Sequence, residues 1–212
     1  MGAVKEFYAA RIEEGMREEE PKKRDYPILF DSYMVQAILT GIKTQTRRGF
    51  RSPLSKKMEP AHEIWHDGGE WIARKKNGQC YKLRFSCPYG KIGDLLWVKE
   101  TMIFNENSNS YWPASDGYLK TANYEKKIPS IHMPKTAARL WLEITDIKAQ
   151  RLQTISEQHA FEEGCGVAKI FGFSEIGQSN HREGFFAKWI AIYGIESYHE
   201  NPWIWALKFK VR

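Results

Sequence analysis

The sequence predicts an α+β fold: a mixed, partly closed β-barrel with helices at its ends and long loop insertions. Three observations carry this. Short runs of β-forming residues alternate with turn residues along most of the chain. Helical periodicity is confined to short stretches. The order is strand, helix, strand, then several strands, then two helices and a last strand, which does not fit a doubly wound sheet. At 212 residues the chain suits one domain with insertions, and it has no internal repeat.

Residues 1–24 read as a charged arm. Val4, Tyr8, Ile12 and Met16 give a thin apolar stripe at helical spacing, and Glu18–Glu20 and Lys22–Arg24 form opposed charge blocks. Residues 25–212 form the domain, with insertions at about 51–80 and 104–135. Pro27–Phe30 is a short strand. Asp31 or Ser32 caps a helix carrying Met34, Val35, Ile38 and Leu39, and Gly41 stops it, so Lys43 to Arg48 leave as an extended segment. The first insertion reads as a loop and a hairpin, with Trp65 and Trp71 flanking a turn signal at Asp67-Gly68-Gly69. Tyr81–Phe85 and Leu95–Val98 are strands on either side of a turn at Pro88–Asp94. Residues 104–135 are polar and rich in Asn and Ser. Ala137–Ile147 alternates as a strand. Thr154 or Ser156 caps a helix that stops at Gly164, and 165–180 is a third polar loop. Phe185–Tyr193 is an amphipathic helix ended by Gly194, and Trp203–Val211 is a closing strand of alternating apolar and basic residues.

The net charge of +6 and a pI near 9.1 point to an anionic partner, nucleic acid being the commonest. Aromatic residues make up 14% of the chain, including eight Trp, which supplies both core mass and surfaces for stacking bases. Cys80, Cys87 and Cys165 are odd in number and lack CxxC spacing, which argues against a disulfide framework and for a reducing cytoplasm. No apolar run approaches membrane-spanning length and the N-terminus has no apolar leader pattern. No cofactor or metal is expected.

His62-Glu63-Ile64-Trp65-His66 matches H-E-x-x-H, which holds zinc only when a helix sets both His on one face. Pro60 and Gly68-Gly69 bracket it, and on a hairpin strand Glu63 faces away from His62 and His66. Zinc hydrolysis is therefore the remote reading. Gly41-Ile42-Lys43-Thr44-Gln45-Thr46-Arg47-Arg48 carries more. In a regular strand Lys43 lies opposite Thr46 and Arg48, but a twist or bulge after the helix can bring them to a common pocket. A Thr hydroxyl beside a Lys amine forms a nucleophile–base pair where burial lowers the Lys pKa. The same residues also read as a basic exit from a helix, bound for solvent.

The segment from Gly41 to Arg48 resembles the G-x-K-x-x-T-x-R signature of the ASCH domain, in the PUA-like superfamily. Tyr89–Val98 resembles the family's Gly-Asp lead-in to a strand, and Arg151–Gly164 resembles its late helix with a Glu-Gly ending. Phe185–Arg212, with Asn201-Pro202-Trp203-Ile204-Trp205, is similar to the closing helix and strand of longer ASCH proteins of phages and prophages. These blocks span about half the chain, in the family's order. The resemblance extends distantly to the bacterial N4-acetylcytidine amidohydrolases, and it implies a catalytic set of Lys43 as base, Thr46 as nucleophile and Glu163 as the group that orients Lys43 or relays its proton. Arg48 would hold substrate or a neighbouring carboxylate. The helix leaves Glu162 as a rival for Glu163.

Around these, Arg47 and Arg48 with aromatic residues are candidates for holding nucleic acid. Trp97 and Lys99 share a strand face, and Glu100 on the other could pair with Arg48 or Lys43 or form a surface salt bridge. Asn201 before Pro202 could read a base edge, and Trp203 could stack on a base or join the core. His159 is read as a packed or capping histidine. The expected partner is a nucleoside or single-stranded nucleic acid, RNA favoured, in a basic groove. Either an amidohydrolase acts there on an acylated nucleoside, or the site cleaves RNA, or it binds single-stranded RNA or DNA without turnover.

Overall fold

The computed structural model describes residues 23–50, 61–83, 86–105, 110–116, 126–166 and 180–212. The expected N-terminal arm up to residue 22, the start of the first expected insertion, the last two residues of the expected Tyr81–Phe85 strand, parts of the expected 104–135 insertion and most of the third polar loop lie outside these residues. The fold is α+β, with mixed sheets and few helices. No described helix is long and apolar enough to cross a membrane.

The principal sheet has five strands in the order β1 (Asp25–Leu29), β6 (Leu95–Lys99), β10 (Trp141–Arg151), β11 (Trp203–Val211) and β2 (Gln45–Gly49). β1 runs parallel to β6 and every other pair is antiparallel. Among the described residues β1 and β2 do not pair, so the expected barrel closure is corrected to an open sheet. β10 begins at Trp141 rather than Ala137, because Lys135–Ala137 form a 3₁₀ turn; it then runs on to Arg151 past a register shift between Ile144 and Asp146.

The hairpin of β3 (Ala61–Asp67) and β4 (Glu70–Lys75) forms a second sheet, extended by β5 (Cys80–Leu83). Its inner face lies on the principal sheet. Trp71 meets Trp205 edge-on at 4.8 Å, and Phe50 packs on the same indole at 4.5 Å. The described residues of the 104–135 region include strands that its polar composition does not suggest. Within it β8 (Ser110–Pro113) and β9 (Lys126–Ile128) flank β7 (Met102–Asn105). Strands this short bury little on their own, so their alternation is too brief to stand out from a polar loop.

The apolar periodicity marks most of the core, although Leu39 of the first helix's stripe is exposed. Ile28, Val35, Ile38, Leu96, Val98, Leu142, Ile144, Ile204, Trp205 and Leu207 are all buried in one cluster. Helix α1 (Ser32–Leu39) starts at Asp31, whose carboxylate accepts from Met34 N at 2.7 Å. Gly41, at φ 76°, turns the chain out of that helix, a conformation that costs a residue with a Cβ. Lys43 N then donates back to Ala37 O at 2.9 Å before β2 begins. Helix α2 (Glu157–Glu162) is capped by Ser156. Helix α3 (His181–Tyr193) starts four residues before the expected Phe185, because Asn180 and Glu183 make a reciprocal capping box. A short α4 (Ile195–His199) follows Gly194.

The three cysteines are free, with Cys80 exposed and the other two buried. Burial pushes the Cys87 thiol up to about 12 and the Cys165 thiol up to about 11, where an un-ionised thiol is a poor nucleophile. Native protein should therefore react quickly with a thiol reagent at Cys80 alone and yield three thiols only after unfolding. Three fast thiols would contradict the burial. The same shift sets a pH slope. From about pH 9 the unfolded thiols lose protons that the native state keeps, so stability falls as pH rises. Each thiol contributes a loss of about 2 kcal/mol by pH 10.5. Urea melts of wild type and Cys165→Ala between pH 8 and 10.5 read this directly, because the variant's decline should be shallower.

Candidate functional site

The exit of α1, strand β2 and the end of α2 meet at one pocket. The backbone fixes this junction. Thr44 N donates to Glu162 O and Phe209 N to Thr44 O, each at 2.9 Å. Gln45, fully buried, donates its amide to His159 O at 2.8 Å and to the Glu162 carboxylate at 3.1 Å. Gly164 ends α2 at φ 73°, and a Cβ there would come within 2.9 Å of Ala37 Cβ and 3.1 Å of Lys43 Cβ. The close approach needs glycine, and it is what brings Glu163 beside Lys43.

The buried charge cluster that results has three members. Lys43 Nζ donates to Gln45 O at 2.8 Å, to Glu163 O at 2.7 Å and to Glu163 Oε2 at 3.1 Å. Arg47 Nη1 donates to Glu163 Oε1 at 2.8 Å. With its amide oxygen turned to the guanidinium, Gln150 also accepts from Arg47 Nε at 3.2 Å and from its second amino group at 3.1 Å. The side chains of Lys43, Arg47 and Glu163 are 2%, 1% and 5% exposed. Burial pulls the Lys43 amine below the ordinary lysine range, and the Glu163 carboxylate opposes that shift. Burial and the Arg47 charge also lower His159, which favours its neutral form.

Thr46 is buried and lines the pocket, but among the described residues no hydrogen bond joins its hydroxyl to Lys43 or Glu163. The pocket has a volume of about 310 Å³. Phe30, Phe185, Trp189 and Tyr193 form its aromatic walls, and the Trp189 and Tyr193 rings lie 4.3 Å apart. Four cations (Lys43, Arg47, Arg48 and Lys188) face two carboxylates (Asp31 and Glu163). Lys188 reaches the Asp31 carboxylate at 2.8 Å. Arg48 donates to Leu29 O at 2.6 Å and lies 5.0 Å over the Phe30 ring, while its buried Nε meets no partner among the described residues.

The remaining predicted residues sit elsewhere. Glu100 pairs with neither Arg48 nor Lys43, and it is no surface bridge. It is buried and accepts from Arg139 Nε at 2.8 Å and Ser115 Oγ at 2.6 Å. Lys99 reaches Ile131 O at 2.6 Å and rests over Trp97, and it is not part of the pocket's lining. Asn201, at φ 46°, accepts from Gln153 N at 2.8 Å and so braces a loop. Trp203 is a core residue with Arg151 stacked on its ring at 4.8 Å. The carboxylate expected to meet Arg48 is held by Arg47 instead, because Arg47 lies on the sheet face toward α2. His62, Glu63 and His66 lie on strand β3, where Glu63 pairs with Arg74 and His66 packs on Trp71, so the helical zinc geometry is absent. Among the described residues no group of three His, Cys, Asp or Glu side chains converges to hold a metal. The sequence reading missed the aromatic walls. Their signal was the four-residue spacing of Phe185, Trp189 and Tyr193 on one helix face.

No family model and no curated protein matches the chain. Among solved structures, the chain is similar to an ASCH domain from Lactobacillus crispatus JV V101. The match is 15% identical, spans all of this chain and 95% of that one, and has a TM-score of 0.40. A likeness that coarse fixes neither family nor activity, so the family reading of Gly41–Arg48 stays an expectation.

Proposed function

We propose that the pocket binds a nucleoside unit and hydrolyses an amide on its base, as in an N4-acylated cytidine. One observation carries this reading: a buried, net-positive Lys43–Glu163–Arg47 cluster under an aromatic-walled pocket that also holds the Thr46 hydroxyl. About 310 Å³ suits a nucleoside-sized molecule. The aromatic rings offer π-faces to a base, and the unpartnered Arg48 Nε offers a donor to a carbonyl or hydroxyl.

The chemistry follows from protonation. In this arrangement the Lys43 amine spends three hydrogens on three acceptors, which is the ammonium form. A base must be neutral. Passing one proton along the 3.1 Å contact to Glu163 frees a lone pair on Lys43, while Arg47 keeps hold of the other Glu163 oxygen. Thr46 Oγ then bonds to the acyl carbon and its proton goes to Lys43. The oxyanion that forms faces a cationic floor. The C–N bond breaks as Lys43 gives that proton to the departing base nitrogen. Water, deprotonated by Lys43, then releases the acyl group from Thr46 as a carboxylic acid while Lys43 returns a proton to Thr46 Oγ, and Glu163 passes its proton back to Lys43. Incubation with a panel of acylated nucleosides, read by mass spectrometry, should show the free nucleoside. Thr46→Ala should slow release by at least about 100-fold. Equal turnover by both proteins, or none by wild type, would remove the catalytic reading.

A second reading has its own support. The saturated bonding of Lys43 and the absence of a described Thr46–Lys43 hydrogen bond favour a site that holds a nucleoside or single strand without turnover. That reading requires binding that Thr46→Ala leaves intact, with no product.

A further inference from the structure

The aromatic walls and the buried cluster account for a base and the amide it carries, and they leave one charged part of the pocket without a task. Where β1 passes into α1, Asp31 lines the pocket together with Lys188 of α3. The Lys188 amine donates to Asp31 Oδ2 at 2.8 Å, and Asp31 Oδ1 accepts from Met34 N at 2.7 Å. Two contacts therefore fix the carboxylate. Lys188 directly precedes Trp189, so the helix that carries the rings also carries this cation.

Asp31 is the open acid of the site. Its side chain is 55% exposed, whereas Glu163, the other carboxylate among the described lining residues, is 5% exposed and holds Lys43 and Arg47. An ionised carboxylate offers about four acceptor positions. One on each Asp31 oxygen is taken, which leaves roughly two, again one on each oxygen. Capping α1 does not demand this acid, because Ser or Asn caps a helix about as well. A fixed carboxylate with both oxygens still able to accept suits two neighbouring hydroxyl groups. An acidic residue reads the ribose 2′-hydroxyl of dinucleotides by the same kind of bond.

The pair and the buried cluster share one space. Cys165 lines the same pocket, and its thiol senses both groups. Burial raises that thiol most; beyond burial, Glu163 and Asp31 push it up while Lys43 and Lys188 pull it down. In a nucleoside the exocyclic nitrogen of the base and the sugar hydroxyls lie at opposite ends of the molecule. With the amide at Lys43 and Thr46, the sugar is left to the wall. Thr101 and Ser130 offer hydroxyls there, but a carboxylate takes one hydrogen on each of two oxygens.

We infer that Asp31 accepts hydrogen bonds from the 2′- and 3′-hydroxyls of the ligand's sugar, so that the pocket selects ribonucleosides over 2′-deoxyribonucleosides. Lys188 is the positioning residue that holds the carboxylate for this. The inference rests on the nucleoside reading of the pocket, with or without turnover, and it gives Asp31 no part in breaking the amide bond. The competing account makes the Asp31–Lys188 pair a plain tie between α1 and α3.

The test is calorimetry with a panel of ribonucleosides, their 2′-deoxy counterparts and arabinosylcytosine, which keeps a 2′-hydroxyl on the other face of the ring. Wild type should bind a ribonucleoside about tenfold more tightly than either analogue, the effect of one hydrogen bond to a partly exposed carboxylate. Asp31→Ser keeps a helix cap but falls short of the sugar, so the preference should drop below about twofold. Asp31→Asn caps equally well and keeps one acceptor oxygen, and its preference should lie between the two. It supplies the answer if circular dichroism shows the serine variant misfolded. Equal binding of ribo and deoxy forms by wild type overturns the role of Asp31 and leaves the pocket reading standing. An undiminished preference in the folded variants does the same. A variant that weakens both sugars by one common factor establishes the helix tie and also overturns the inference. No nucleoside binding by wild type removes the pocket reading and this inference together.

Discussion

Glu163→Ala should lower folding stability by about 3–5 kcal/mol and remove ligand binding at the pocket. Among the described residues the carboxylate is the only acidic partner of two side chains that are almost wholly out of water, Lys43 and Arg47. Without it, two like charges share a dry space. Lys43 keeps the carbonyls of Gln45 and residue 163, and Arg47 keeps Gln150, but neither retains a counter-charge. An uncompensated buried charge is among the costliest single defects a fold can carry. Glu163→Gln separates charge from packing. It keeps the volume and an acceptor oxygen, so it should fold better than the alanine variant yet lose any activity that needs the proton relay. Urea denaturation of the three proteins decides the matter. A loss below about 1 kcal/mol for Glu163→Ala would mean that water reaches the cluster and screens it.

Trp205→Ala should cost a similar 3–5 kcal/mol, by a different mechanism. The indole is fully buried at the centre of β11, with Phe50 at 4.5 Å and Trp71 edge-on at 4.8 Å. It is where the β3–β5 sheet rests on the principal sheet. Truncation leaves a large cavity between two sheets whose strands are held by their own hydrogen bonds and cannot collapse into it. Trp205→Phe should recover part of the loss, since it keeps an aromatic contact with Trp71. Thermal unfolding followed in the near-ultraviolet reads both stability and loss of the coupled indole signal. A variant as stable as wild type would show that the two sheets do not depend on this contact.

The sequence carried the local structure well and the closure poorly. Asp31, Gly41, Ser156, Gly164 and Gly194 mark helix ends by side-chain and backbone chemistry that acts over a few residues, and each stands where expected. The hairpin at Gly68-Gly69 was equally readable. Whether β1 and β2 meet is a question about partners far away in the chain, and nothing in ten residues of alternation answers it. The same limit applies to the site. Lys43, Thr46 and Glu163 do reach one pocket, but the carboxylate bond falls to Arg47 rather than Arg48, because which arginine faces α2 depends on the register of β2 with β11. Glu100 found Arg139 and Ser115 because β7 and the turns around it fold over that strand end, in a region whose composition suggested only loop.

The register of β2 has a consequence for how the molecule is made. β2 carries Thr46, Arg47 and Arg48, and the strand shown beside it is β11, which begins at Trp203. The lysine–glutamate contact spans 120 positions of sequence. During synthesis, everything up to α3 can emerge while β2 still lacks a neighbour to hydrogen-bond. The pocket is therefore a late product of folding. A nascent or truncated chain lacking Trp203–Val211 would carry every pocket residue and still have no pocket.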